Sequence, residues 1–210
     1  MKRRTFVNAL IALPISIAAT SAFANDDGLY QDVFDPQSSF VRVLTDGQPF
    51  AAIGDKRLTE FVGGVSGYVN VMPGQLSVTY SDGTIDLTIA PSMHYTVILR
   101  SGAEPVVVTD TVQRNPAKAD VTMYNLATAD GLDLYVPAAR AVALPGVMEN
   151  GGQSVALKAP LTLDFEIRSG EQTLASVTAV ELKRRAGVTV VVSVDNGAYS
   201  ALAVADTYLR

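Results

Sequence analysis

The strongest constraint on this chain is an alternation of apolar and polar residues with period two, which no segment replaces with a sustained helical period. Successive side chains of an extended strand point to opposite faces, so such a pattern gives one face to a core and the other to water. Phe40-Val41-Arg42-Val43, Leu76 to Tyr80, Ile85 to Ile89, Tyr95 to Leu99 and Leu161 to Ile167 all read this way. Val188 to Val194, β-branched apart from Ser193, reads as a strand that ends in the turn Asp195-Asn196-Gly197. Ser81-Asp82-Gly83-Thr84 is expected as a tight hairpin with Asp-Gly as its central pair, and Asp195-Asn196-Gly197 as another. Short helical exceptions are expected only around 55–61 and 137–143. The chain is predicted to be all-β.

The strand pattern occurs twice. A strand at Val41, a hairpin over 76–89 and a strand at 95–99 are matched by a strand at Val121, a hairpin over 161–177 and a strand at 188–192. Both halves end in similar strings, Val108-Thr109-Asp110-Thr111 and Val204-Ala205-Asp206-Thr207. The offset drifts from 80 residues (Val41 to Val121) to 93 (Tyr95 to Val188), as loops of different length would require. A diverged tandem duplication accounts for this order. The expected fold is two tandem small antiparallel β-sandwich domains, 38–112 and 119–210, joined by a short linker at 113–118. A unit of that size is marginal alone, so the two are expected to pack together.

Composition removes several function classes. With 48% hydrophobic and 18% charged residues the chain is not intrinsically disordered. It has no cysteine and one histidine, so disulfides, thiolate metal sites and multi-histidine metal sites are excluded. The formal charge of −5 argues against nucleic acid as the main partner. Residues 1–24 form a secretion signal: Lys2, Arg3 and Arg4, an apolar run over 9–19, then Ala22-Phe23-Ala24 before Asn25. Arg3-Arg4 also fits a twin-arginine motif; ordinary unfolded export is preferred, since nothing suggests a cofactor inserted before export. Cleavage at Ala24 leaves 186 residues with thirteen basic against twenty-one acidic side chains, a net charge of −8. No later run is long enough to cross a bilayer, and the mature product, with an extended leader over 25–37, is expected in a periplasm.

Groups capable of chemistry are few. Ser92, His94 and Asp86 are the residue types of a Ser-His-Asp set, but no Gly-x-Ser-x-Gly elbow surrounds any serine. His94 is therefore expected in the 91–94 turn with its ring in solvent. Asp164 and Glu166 share one strand face, yet Leu163, Phe165 and Ile167 take the inward face, so the carboxylates read as a solvated surface. Gly63-Gly64-Val65-Ser66-Gly67 lacks the lysine of a phosphate loop and is expected to be flexible. Asp130-Gly131-Leu132-Asp133 is too short for a calcium loop, and Asp26-Asp27 reads as solvated leader. Tyr80 and Tyr95 sit at strand positions where core and edge roles are as natural as sugar stacking. No catalytic, cofactor-binding or metal-ligating residue is assigned.

Asp27-Gly28-Leu29-Tyr30, then Ser38-Ser39-Phe40-Val41-Arg42-Val43, resemble the opening of the AlgF family of alginate biosynthesis proteins. Tyr95-Thr96-Val97 and Val121-Thr122-Met123-Tyr124-Asn125-Leu126 fall where that family has similar segments, whereas the loops over 51–67 and 135–152 do not resemble it. The resemblance spans essentially the whole mature chain. It implies a non-catalytic periplasmic adaptor required for O-acetylation of the alginate exopolysaccharide. Its implied partners are the periplasmic alginate O-acetyltransferases and the membrane-bound O-acyltransferase of the pathway, with alginate itself as a further one. The alternative is a carbohydrate-binding module that presents the polysaccharide to a separate acetyltransferase. The resemblance carries no catalytic residues over to this chain.

Overall fold

Seventeen strands and one short 3₁₀ turn at Pro137–Ala139 make up the regular structure in the computed structural model, which describes residues 34–113, 115–127 and 131–209. The first half contributes β1 (Ser39–Asp46), β2 (Ala51–Ile53), β3 (Lys56–Leu58), β4 (Tyr68–Val71), β5 (Gly74–Tyr80), β6 (Gly83–Ile89), β7 (His94–Arg100) and β8 (Val106–Asp110). The second half contributes β9 (Lys118–Asn125), β10 (Leu132–Val136), β11 (Ala141–Val147), β12 (Gly151–Lys158), β13 (Leu161–Ser169), β14 (Gln172–Leu182), β15 (Gly187–Asp195) and β16 (Ala198–Ala205). A last strand, β17 (Tyr208–Leu209), returns to the first half and pairs with β4. The signal segment with Ala22, Ala24 and Asn25, and the acidic pair Asp26-Asp27, lie outside the described residues.

The duplication seen in the sequence is a duplication of topology. One sheet of the first half runs β4-β1-β7-β8 and its counterpart β12-β9-β15-β16; the other runs β3-β2-β5-β6 and its counterpart β11-β10-β13-β14. Most pairings are antiparallel, but β1–β7 and β9–β15 are parallel, and this departure recurs at the same place in both halves. Each half is a sandwich with its own core. Val41, Val43, Val78 and Val97 lie in the first, and Val121, Met123, Phe165 and Val190 in the second, all fully buried. These are the inward positions that alternation predicts.

The two hairpin turns part company. At 195–198 the loop is Asn196-Gly197, both at positive φ, as the sequence leads one to expect. At 80–83 the register joins Tyr80 to Gly83, so Ser81-Asp82 forms the loop and neither has positive φ. A neighbouring side chain explains the shift. Gln48 Nε2 donates to Asp82 Oδ2 at 2.8 Å, and the Ser81 hydroxyl donates to Gln48 Oε1, clamping the turn from the β1–β2 connection.

The central sheets of the two halves face each other. Leu44, Val65, Ile98, Tyr124, Leu126 and Val191 form a third buried cluster between them. β1 and β7 are therefore buried on both faces. No helix among the described residues is long and apolar enough to cross a membrane.

Candidate functional site

The most concentrated polar chemistry lies between the halves. Arg42 is on the outer face of β1 and none of its side chain is exposed. Its Nη1 donates to Asp206 Oδ1 at 2.8 Å, its Nε to Thr96 Oγ1 at 2.9 Å and its Nη2 to the Tyr124 hydroxyl at 3.3 Å. The guanidinium lies 4.3 Å from the centroid of the Tyr68 ring, a cation–π contact. Asp110 receives the other donors: Thr96 Oγ1 at 2.7 Å, the Tyr68 hydroxyl at 3.0 Å and the Tyr124 hydroxyl. Thr189 Oγ1 donates to Asp206 at 2.6 Å.

This arrangement grows from the repeat. In the parallel pairs, Arg42 stands opposite Thr96 and Thr122 opposite Thr189, so Thr96 and Thr189 occupy equivalent positions. Asp110 pairs with His94, two residues before Thr96, and the Asp206 N–H bonds Gly187, two residues before Thr189. The similar strings at 108–111 and 204–207 thus deliver two equivalent carboxylates, each bound by its own threonine. Thr122 stands where Arg42 does, so a single cation serves both acids. Gly187 is required for this closeness, since a Cβ there would collide with the Asp206 carboxylate; one at Gly152 would collide with the Tyr124 ring.

Burial opposes the charge on Arg42, but the oxygens of Tyr124, Tyr68, Asp206 and Asp110 outweigh it and hold the pKa well above the usual arginine value. Burial also raises Tyr68 and Tyr124, which stay neutral donors. Burial pushes the Asp110 carboxyl above the ordinary carboxylate range, only partly opposed by Arg42 and the bonds from Tyr124, Thr96 and Tyr68. The folded state thus holds this proton more tightly than the unfolded chain. Its stabilising effect is complete below the ordinary carboxylate value near pH 4 and is lost as pH rises through the folded value. The unfolding free energy of the wild type minus that of Asp110→Asn should therefore rise as the pH is lowered from about 7 towards about 4. Denaturant titrations across that range check it, and a difference that falls refutes it.

An aromatic stack extends the cluster. His94 is 3% exposed, stacks on Phe40 at 4.9 Å and lies 3.2 Å from the Tyr208 hydroxyl through Nε2. Tyr208 in turn stacks on Tyr68 at 5.2 Å. This corrects the expectation of a solvent-facing histidine: His94 opens β7 and packs on its outer face, which the return of β17 helps to cover. Ser92 and Asp86 do not join it. The Ser92 hydroxyl donates to the Pro36 carbonyl, and Asp86 accepts from Ser77 on an exposed strand face.

The other sequence candidates are placed individually. Asp164 accepts the Ala179 N–H at 2.8 Å. Glu166 accepts from Arg168 at 2.8 Å and Thr173 at 3.0 Å; those bonds lower its pKa, the wrong direction for a general acid. Gly63 to Gly67 is no flexible loop. Val62 and Val65 bond each other's backbones, the Gly64 carbonyl accepts the Thr45 N–H at 2.8 Å, and a Cβ on Gly64 would strike the Thr45 carbonyl. Asp133 accepts the Gly146 N–H. Tyr95 is buried in the first core, and Tyr80 packs half-buried against it. Beside this loop a groove of about 710 Å³ opens, lined by Lys56, Arg57, Glu60 and apolar residues including Val65 and Leu209. Among the described residues no group of acids and histidine is arranged to hold a metal ion.

Sequence reasoning missed Arg42, Asp110 and Asp206 as a set. The signal was present in the two matching strings, each with one aspartate, and in a lone arginine within Phe40 to Leu44.

Fold and cluster together define a duplicated double β-sandwich whose most concentrated polar groups are sealed between its halves. The chain belongs to the AlgF family: a family model described as "Alginate O-acetyl transferase AlgF" matches residues 12–189. The alginate biosynthesis protein AlgF of Pseudomonas fluorescens is 28% identical over 192 residues, covering 87% of this chain and 84% of that protein. The protein of the same description from Pseudomonas aeruginosa is 26% identical over 140 residues, 62% of this chain and 65% of its own length. A solved C-terminal domain of AlgF from P. aeruginosa superposes with a TM-score of 0.38 at 19% identity, covering 42% of this chain and 98% of that domain.

Proposed function

We propose that this chain acts in alginate biosynthesis as a non-catalytic periplasmic adaptor for O-acetylation, linking the periplasmic acetyltransferases to the membrane-bound O-acyltransferase. The observation that carries this reading is the burial of the reactive groups. His94, Thr96, Asp110 and Thr189 are all nearly or fully inaccessible and already hydrogen-bonded, so a polymer hydroxyl or acetyl donor has no path to them. Acetyl transfer requires a nucleophile and a base that reach the substrate. On this proposal the acetyl transfer in the family's description is the process the family serves. Signal cleavage between Ala24 and Asn25, delivery to the periplasm and a division of the mature chain at 113–118 belong to the same proposal.

Two measurements test it. Mature protein titrated with the purified periplasmic acetyltransferases of its own pathway should bind saturably, and titrated with oligomannuronate it should not. Saturable sugar binding without protein binding would replace the adaptor with a carbohydrate-binding module. Separately, His94→Phe keeps an aromatic ring on Phe40 while removing the only imidazole. Polymer acetylation in cells should persist in that variant, and its loss from a folded variant would restore an enzymatic reading.

A further inference from the structure

The acidic chain gathers unpaired positive charge at one corner of its second half. Arg42, Arg100 and Arg168 each pair with a carboxylate. Lys118, Lys158, Lys183, Arg184 and Arg185 are disposed differently. Lys118 and Lys158 are directly opposite one another on β9 and β12, so two like charges share one sheet face. The turn after β14 reaches the same place: the Arg185 N–H bonds the Lys118 carbonyl at 3.0 Å, and Arg184 Nε donates to the Ala159 carbonyl at 3.0 Å. Lys183 pairs at 3.3 Å with Glu181, both side chains being more than two-thirds exposed. Asp120, a carboxylate beside this turn, accepts the Gln113 N–H. Among the described residues, Lys118, Lys158, Arg184 and Arg185 have no carboxylate within ion-pair distance.

Two features here work against stability. Like charges facing each other across strands are repulsive. Arg185 has φ of +62°, a left-handed backbone region that glycine occupies without strain and a residue with a Cβ does not. Keeping an arginine there, beside four more cations, is intelligible if the charge meets a partner.

We infer that this corner is the docking surface for an acidic patch on a folded protein partner, an inference that rests on the adaptor reading. Its shape favours a protein over the polysaccharide. A polyuronate carries a carboxylate on every sugar along an extended chain, whereas the corner is one compact patch. The rest of this molecule is net negative and repels polymer segments beyond the contact. An acidic protein surface of matching size meets no such penalty, and the patch would steer its approach.

The test uses the mature chain against each purified periplasmic acetyltransferase of the pathway, and against oligomannuronate, at low and physiological salt. Lys158→Glu with Arg185→Gly is the variant. Arg185→Gly relieves the backbone strain, so the variant should melt at or above the wild-type temperature. Its affinity for an acetyltransferase should fall about tenfold, chiefly through slower association, and its salt dependence should flatten. If the wild type binds the acetyltransferases and the variant binds equally well, the corner is not the docking surface while the adaptor reading stands. If the wild type binds none of them, the adaptor reading fails and this inference with it. If only oligomannuronate binding is lost, the corner is a polymer site and the inference is wrong.

Discussion

Arg42→Met should lower folding stability by about 3–5 kcal/mol, the usual consequence of removing one partner of a buried ion pair. Methionine keeps much of the volume and apolar stem, so the loss reports on charge rather than on a cavity. Two buried acids, Asp110 and Asp206, then lose their shared cation, and Thr96 Oγ1 loses its Nε donor. Asp206→Asn alone should be milder, because Arg42 keeps Thr96, Tyr124 and the Tyr68 face. The double variant should be less destabilised than the sum of the singles, since the second change neutralises an acid that the first left unpaired. Chemical denaturation of all four proteins closes the cycle. Strict additivity would show that Arg42 and Asp206 are not coupled.

Phe165→Ala should also cost about 3–5 kcal/mol, here through lost apolar transfer and a residual cavity. Phe165 is fully buried in the core of the second half. Its wider effect depends on how the halves are tied. The Arg42–Asp206 pair, the apolar cluster around Leu44, Ile98 and Val191, and β17 added to the first-half sheet all span the junction. Residues 34–210 accordingly form one compact unit. Unfolding should be a single transition, with amide exchange at Val97 in the first half accelerated by the change at Phe165. A second transition, or unchanged protection at Val97, would show that the halves unfold independently.

The fold was largely legible because strand alternation is local. Val41 and Val43, or Val121 and Met123, declare an inward face two residues at a time. Repeating that order at a drifting offset was enough to suggest a duplication that the topology bears out. The turns were less legible. Asn196-Gly197 follows its own backbone preference, but Ser81-Asp82 is held by Gln48 from another connection. His94 illustrates the main failure. A polar residue after a Pro-Ser-Met turn reads as wet, whereas Phe40, Tyr68 and the return of Tyr208, 114 residues later, cover it.

What the sequence by itself determined is therefore the strand order, the two inner cores and the pair of equivalent aspartates. These follow from side-chain period and from transfer free energies that act locally. What the tertiary structure alone decided is the fate of the opposite strand faces. Arg42, Leu44, Thr96 and Ile98 would face water if the first sandwich stood alone; packing against Tyr124 and Val191 of the second buries them. Once Arg42 loses its water, its charge needs a carboxylate, and the partner it finds is 164 residues away. No local pattern encodes that distance, because it arises only when two sheets, each already folded, exclude water from the space between them.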